Sequence, residues 1–252
     1  MKLIACKDYK EMSKKAAKEI LELVHSEKRC TLGLATGSTP EGVYKALVED
    51  FNKGETSYKQ VSSVNLDEYV GLTKDNPNSY HHYMKSNLFQ HIDLPENQQL
   101  IPNGVANDLE VECREYEKTI AELGGVDLQL LGIGHNGHIG FNEPRTPFSS
   151  RTHVVDLAEK TRKANARFFS DITEVPAQAI TMGIETIMES KKILLLISGK
   201  SKAEALSKLI NGPIDESFPA SILKNHPNVT IMADEEAMSL LEEEAVGRQH
   251  IL

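Results

Sequence analysis

Two histidines, four glycines and a carboxylate fall within the fourteen residues Leu131-Gly-Ile-Gly134-His135-Asn136-Gly137-His138-Ile-Gly140-Phe-Asn142-Glu143-Pro144. An unperturbed imidazole titrates at about 6.5, so His138 suits the transfer of a proton between two oxygens near neutral pH. Glu143 can fix the tautomer of such a ring and stabilise its cation. The glycines would equally permit tight turning, with a histidine that only satisfies backbone carbonyls. A metal centre made of His135, His138 and Glu143 is disfavoured. The histidines stand three apart in a Gly-rich loop rather than on a helix face, and no second cluster offers the missing ligands.

A second group of chemical residues is Asn65-Leu-Asp67-Glu68-Tyr69-Val-Gly71. Extended chain sends adjacent side chains to opposite sides, so one carboxylate can enter a pocket as a general base while the other is engaged elsewhere, for instance in a salt bridge. A solvated acidic turn would have the same appearance. A third group is Gly33-Leu-Ala-Thr36-Gly37-Ser38-Thr39-Pro40, whose small residues let the N–H groups of Gly37, Ser38 and Thr39 approach an anion at a helix start. No Gly-Lys-Ser/Thr follows this loop at the Walker spacing and the loop does not match GxGxxG, so it does not imply a nucleotide. Cations gather at Lys160, Arg162, Lys163 and Arg167, and again at Lys200 and Lys202 beside Ser198-Gly199. With 28 Lys and Arg against 37 Asp and Glu, the net charge is −9. An anionic small molecule would need such local concentrations of positive charge. His81 and His82, beside Tyr80 and Tyr83, read as helix surface.

The elements that would carry these loops alternate. Apolar spacing predicts a helix over 9–26 and buried strands over 30–35, 61–66, 126–133, 193–198 and 229–232. A second helix is predicted to start with Thr39 as N-cap and Pro40 at its first position, and to end near Gly54. Near-continuous apolar strands separated by helices predict an α/β fold: a mostly parallel, doubly wound sheet with helices on both faces and ligands beyond the carboxyl ends of the strands. The 252 residues contain no repeat or low-complexity linker, which suggests one catalytic domain over 1–252. The mostly polar stretch 146–173, which holds Arg167, is expected to act as a lid. The acidic balance and the lack of an apolar run near the roughly 18 residues a bilayer requires argue against nucleic acid or membrane as partners. Cys6, Cys30 and Cys113 are odd in number and far apart, so neither a disulfide framework nor a thiolate metal site is expected. The first apolar stretch is too short for a secretory signal, and a cytoplasmic protein is expected.

With Asn76-Pro-Asn-Ser-Tyr80 and Ala164-Asn-Ala-Arg-Phe-Phe169 added to these motifs, the chain resembles the glucosamine-6-phosphate deaminase family. Gly137-His-Ile-Gly-Phe-Asn-Glu-Pro144 is specific to that resemblance, whereas Thr36-Gly-Ser-Thr-Pro40 is shared with the related 6-phosphogluconolactonases. The resemblance implies a modified Rossmann-like domain, an amino-sugar phosphate as small-molecule substrate, and neither metal nor cofactor. It makes His138 the group that opens the sugar ring, supported by Asn136 and Glu143. Asp67 would take the proton from C2 and return it at C1, after which water hydrolyses a C2 imine to fructose 6-phosphate and ammonium. An exposed Asp, at about 3.9, is a weak base for carbon, so partial burial of Asp67 is expected to raise its pKa and its basicity. Phosphate would sit on Gly37, Ser38 and Thr39, with charge from Arg167 and from Lys202 or its neighbour Lys200. Regulated members carry aspartate at the position of Asn136 and cations at those of His153 and Val155. Activation by N-acetylglucosamine 6-phosphate is therefore expected to be absent, the hexamer of those members is not implied, and a homo-oligomer is left open. Two alternatives remain. A 6-phosphogluconolactonase-like hydrolase would release no ammonia, and a non-catalytic sugar-phosphate sensor would have little use for Asp67, His138 and Glu143 together.

Overall fold

A computed structural model describes residues 1–157, 162, 169, 171 and 174–241. The first half of the chain runs β1 (Lys2–Cys6), α1 (Tyr9–Ser26), β2 (Cys30–Leu34), α2 (Glu41–Asn52), β3 (Val61–Asn65), β4 (Asp67–Tyr69), α3 (Tyr80–Asn87), β5 (Gln99–Leu100) and α4 (Leu109–Glu122). The second half supplies β6 (Leu128–Gly132), β7 (His153–Asp156), β8 (Gln178–Thr181), α5 (Ile184–Met188), β9 (Ile193–Ile197), α6 (Ala203–Asn211) and β10 (Val229–Asp234). Seven strands form one parallel sheet in the order β1-β10-β9-β6-β2-β3-β5. The remaining three form a small antiparallel sheet, β4-β8-β7.

The large sheet is parallel because its central strands bury both faces. Cys30–Leu34 and Ile193–Ile197 are buried at every position. Successive side chains alternate between two cores. On one side Met12, Ile20, Tyr44, Leu47 and Met84 from α1, α2 and α3 pack on Leu32, Leu34, Leu128, Leu130 and Leu194. On the other, Tyr116, Ile120, Leu206 and Leu209 from α4 and α6 cover Val64, Leu131, Leu195 and Ile231. The expected doubly wound arrangement is thus present, with strand limits one or two residues from those predicted. Among the described residues no helix is long and apolar enough to cross a membrane.

Two local expectations need correction. Helix α2 is capped by Pro40 rather than Thr39, because the Pro40 carbonyl accepts the N–H groups of Val43 (2.9 Å) and Tyr44 (3.0 Å). Thr39 therefore stays in the loop. His81 is not mere helix surface: its Nδ1 lies 2.8 Å from Oε2 of the fully buried Glu68. Of the predicted lid, residues 146–157, 162, 169 and 171 are described, and within them β7 is paired to β8. Arg167, Lys160 and Lys163 lie outside the described residues.

Strand order decides where a ligand can bind. From β2 the chain winds outward through β3 to β5, whereas from β6 it winds the other way through β9 and β10, so β6 and β2 flank the switch point. In sheets of this kind ligands bind at such a point, beyond the carboxyl ends of the strands.

Candidate active site

Four neighbouring strands, β9, β6, β2 and β3, deliver the four chemical segments to that carboxyl edge. The loop after β6 carries the histidine relay. The Nδ2 of Asn136 donates to Glu143 Oε2 at 2.6 Å, and the Asn136 Oδ1 lies 2.7 Å from His138 Nδ1. A carboxylate only accepts, so the amide must turn its NH2 to Glu143 and its oxygen to the ring. The His138 Nδ1 is then the protonated nitrogen, and Nε2 keeps the lone pair. Glu143 Oε1 is a further 3.8 Å from Nδ1. Burial is the main cause that holds His138 below the usual imidazole range, opposed by Glu143 and reinforced by Lys202 and His135. Burial thus favours the uncharged ring, which leaves the Nε2 lone pair available to accept a proton.

Glycine is required beneath this ring. A Cβ on Gly134 would lie 2.2 Å from both Nδ1 and Cε1 of His138. The loop closes on itself where Gly134 N–H donates to the His138 carbonyl at 2.9 Å. It is tied to the small sheet by Phe141 N–H, which donates to Thr181 Oγ1 at 3.0 Å, and by Asn142 Nδ2, which donates to the carbonyls of Ile139 and Met182, each at 2.9 Å.

Those ties bring the relay to Asp67. A methyl on Gly140, two residues beyond His138, would lie 3.6 Å from Asp67 Oδ2. Asp67 pairs with Thr181 in the β4–β8 ladder and is only 6% exposed. Among the described residues no side chain or N–H donates to its carboxylate. Burial first and the adjacent Glu68 second push its pKa up to about 8. Both act in the same direction, since each disfavours the anion.

Glu68 points the other way, as strand alternation requires. Its Oε1 accepts the N–H groups of Tyr69 (2.8 Å) and Tyr80 (2.9 Å), and its Oε2 accepts the N–H of His81 (3.0 Å). A carboxylate at the first turn of α3 satisfies orphan amides and complements the helix dipole. Adjacent carboxylates are visible in the sequence, but the His81 partner, thirteen residues away, is set by the fold.

The loop after β2 turns at Gly37, with φ +94°, and leaves Ser38 and Thr39 before α2. Among the described residues the N–H groups of Gly37, Ser38 and Thr39 have no protein acceptor. The loop after β9 turns at Gly199, φ +87°, whose N–H donates to Asp234 at 3.0 Å. It carries Lys202 close enough for its charge to act on His138, whereas Lys200 is exposed. Asp234 and Thr181 thus position the site without belonging to any recognisable motif. No group of three or more His, Cys, Asp or Glu suited to a metal ion occurs among the described residues.

A doubly wound sheet with a proton relay, a buried carboxyl and an open amide loop at its switch point defines a Rossmann-like enzyme of the sugar-phosphate isomerase and lactonase kind. The family model for glucosamine-6-phosphate isomerases/6-phosphogluconolactonase matches residues 7–232, and the chain belongs to that family. It is 59% identical over 245 residues to the glucosamine-6-phosphate deaminase of Shouchella clausii (strain KSM-K16), covering 97% of this chain and 99% of that one. It is 55% identical over 240 residues to glucosamine-6-phosphate deaminase 1 of Bacillus subtilis (strain 168), covering 95% and 99%. A solved structure described as a monomeric glucosamine-6-phosphate deaminase superposes with a TM-score of 0.94 at 55% identity, over 95% of this chain and 100% of that one. The 6-phosphogluconolactonase of Trypanosoma cruzi, at 24% identity and a TM-score of 0.77 over 95% and 96% of the two chains, shares the fold.

Proposed function

We propose that this enzyme converts glucosamine 6-phosphate and water into fructose 6-phosphate and ammonia, with Asp67, Asn136, His138 and Glu143 as its catalytic group. His138 Nε2 takes the proton of the anomeric hydroxyl and delivers it to the ring oxygen, which opens the ring. Asn136 holds the required tautomer, and Glu143 holds Asn136. The C2 proton of the open-chain aldose then passes to Asp67, which returns it at C1. The resulting C2 imine adds water and loses ammonia. The substrate's C2 ammonium lowers the Asp67 carboxyl from its raised value when it binds, so that the anion is produced where it is used. The 6-phosphate is received by the amides of Gly37, Ser38 and Thr39 together with Lys202 and Arg167.

The observation that supports this reading best is the undonated, buried carboxyl of Asp67 beside the loop of a neutral, tautomer-fixed imidazole. A carbon acid needs a stronger base than an exposed aspartate, and burial supplies one. The test is ammonia release from glucosamine 6-phosphate by the parent enzyme and by Asp67→Asn, with hydrogen exchange at C2 followed in deuterated water. The parent should release ammonia and exchange the C2 hydrogen, and Asp67→Asn should lose both by at least about 10²-fold. Exchange at the parental rate would remove Asp67 from its role. Hydrolysis of 6-phosphogluconolactone without ammonia release would place the chain with the lactonases instead.

A further inference from the structure

The carbonyl groups of the β2–α2 loop are held from behind. Tyr44, from α2, donates its hydroxyl to the Ala35 carbonyl at 2.5 Å. Tyr83, from α3, donates to the Gly37 carbonyl at 2.6 Å, and Tyr9, from α1, donates to the Ser38 carbonyl at 3.0 Å. The three helices that cover one face of the sheet thus each supply one tyrosine hydroxyl to one short loop.

A trans peptide unit is planar, and its C=O and following N–H point in opposite directions. No peptide bond in the described chain is cis. Tethering the Gly37 carbonyl to Tyr83 therefore turns the Ser38 N–H away from the protein, and tethering the Ser38 carbonyl to Tyr9 does the same for Thr39. We infer that Tyr9 and Tyr83 are positioning residues for phosphate recognition: their hydroxyls hold the Ser38 and Gly37 carbonyls so that the Thr39 and Ser38 amides beyond them stay turned toward the anion, while Tyr44 anchors the start of the loop at Ala35. The inference rests on the proposed binding of a sugar 6-phosphate at this loop.

Two details fit it. Tyr9 Oη also accepts the Gly42 N–H at 2.8 Å, so one amide of the first turn of α2 is consumed by the scaffold rather than left to the ligand. A Cβ on Gly42 would lie 3.0 Å from that oxygen and 2.4 Å from Ser13 Oγ, so glycine is what allows α1 to come this close. Burial also raises the hydroxyls of Tyr44 and Tyr83 well above their usual range, so both remain donors at any pH the enzyme would meet. With the donors fixed before binding, the anion does not have to order the loop itself.

Tyr9→Phe and Tyr83→Phe remove single hydroxyls from half-buried rings and test this. The readouts are KM and kcat with glucosamine 6-phosphate, and the dissociation constant of inorganic phosphate measured by direct titration. Each variant should raise both KM and the phosphate dissociation constant about fivefold while kcat stays within about twofold, the loss expected for one net hydrogen bond. Tyr58→Phe is the control, because the Tyr58 hydroxyl is buried and has no hydrogen-bond partner among the described residues. Phosphate affinity within twofold of the parent in both variants, or an equal loss in Tyr58→Phe, would overturn the inference. A parent that binds phosphate tightly and loses affinity in the variants, yet releases no ammonia, would overturn the functional reading and leave this inference standing.

Discussion

At the scale of single residues, Asp67 and His138 are perturbed by the same force with opposite signs. Burial favours the uncharged form of each, which raises the acid to about 8 and lowers the base below its usual range. The proposed mechanism needs Asp67 ionised and His138 neutral in the free enzyme. Below pH 8 the limiting group is thus Asp67, and log kcat/KM should climb with unit slope toward that pH. The corresponding limb in kcat should lie at lower pH, because the bound ammonium stabilises the Asp67 anion. Rate profiles from pH 5.5 to about 9.5 check both, and a kcat/KM that is flat across pH 6 to 8 would contradict them. Asp67, His138 and Glu143 could be picked out of the sequence as candidates because few residue types suit the proposed chemistry. The engagement of Glu68 with His81 could not, since it depends on α3 folding back over β4.

At the scale of elements, the loop after β6 works because its glycines let the backbone pass where side chains could not. Gly134→Ala would set a methyl against the His138 ring and tilt it off its line to substrate. Misplacement of this order costs about 10²-fold in kcat. Steady-state kinetics alongside a melting curve would check it, with kcat falling and the fold retained. Five of the six strands of five or six residues were legible as apolar runs, and the edge strand β1, Lys2–Cys6, was not. The small sheet was not: β4 has three residues and β7 and β8 four each, and the β4–β8 pairing joins segments as distant as Asp67 and Thr181. The N-cap of α2 was misplaced by one residue because the sequence shows that Thr39 can cap, and only the fold shows that its loop has other work to do.

At the scale of the whole molecule, the proposed function asks an acidic protein of net charge −9 to admit an anion at one edge of its main sheet. In that reading it does so with oriented amides and with cations brought in from other segments. The positions of His153 and Val155, on β7, lack the paired cations of regulated relatives. Kinetics should therefore be hyperbolic and unaltered by N-acetylglucosamine 6-phosphate, whereas sigmoidal curves relieved by that compound would refute this. Leu66 alone separates β3, in the large sheet, from β4, in the small one. Directly after that joint two carboxylates stand side by side, so a shift of β4 by one position along β8 would offer Glu68 to the sugar and turn Asp67 toward α3. The grip of Glu68 on Tyr80 and His81 acts as a detent against that frameshift. A side chain with no part in the proposed chemistry would thereby determine which of two neighbouring acids serves in it.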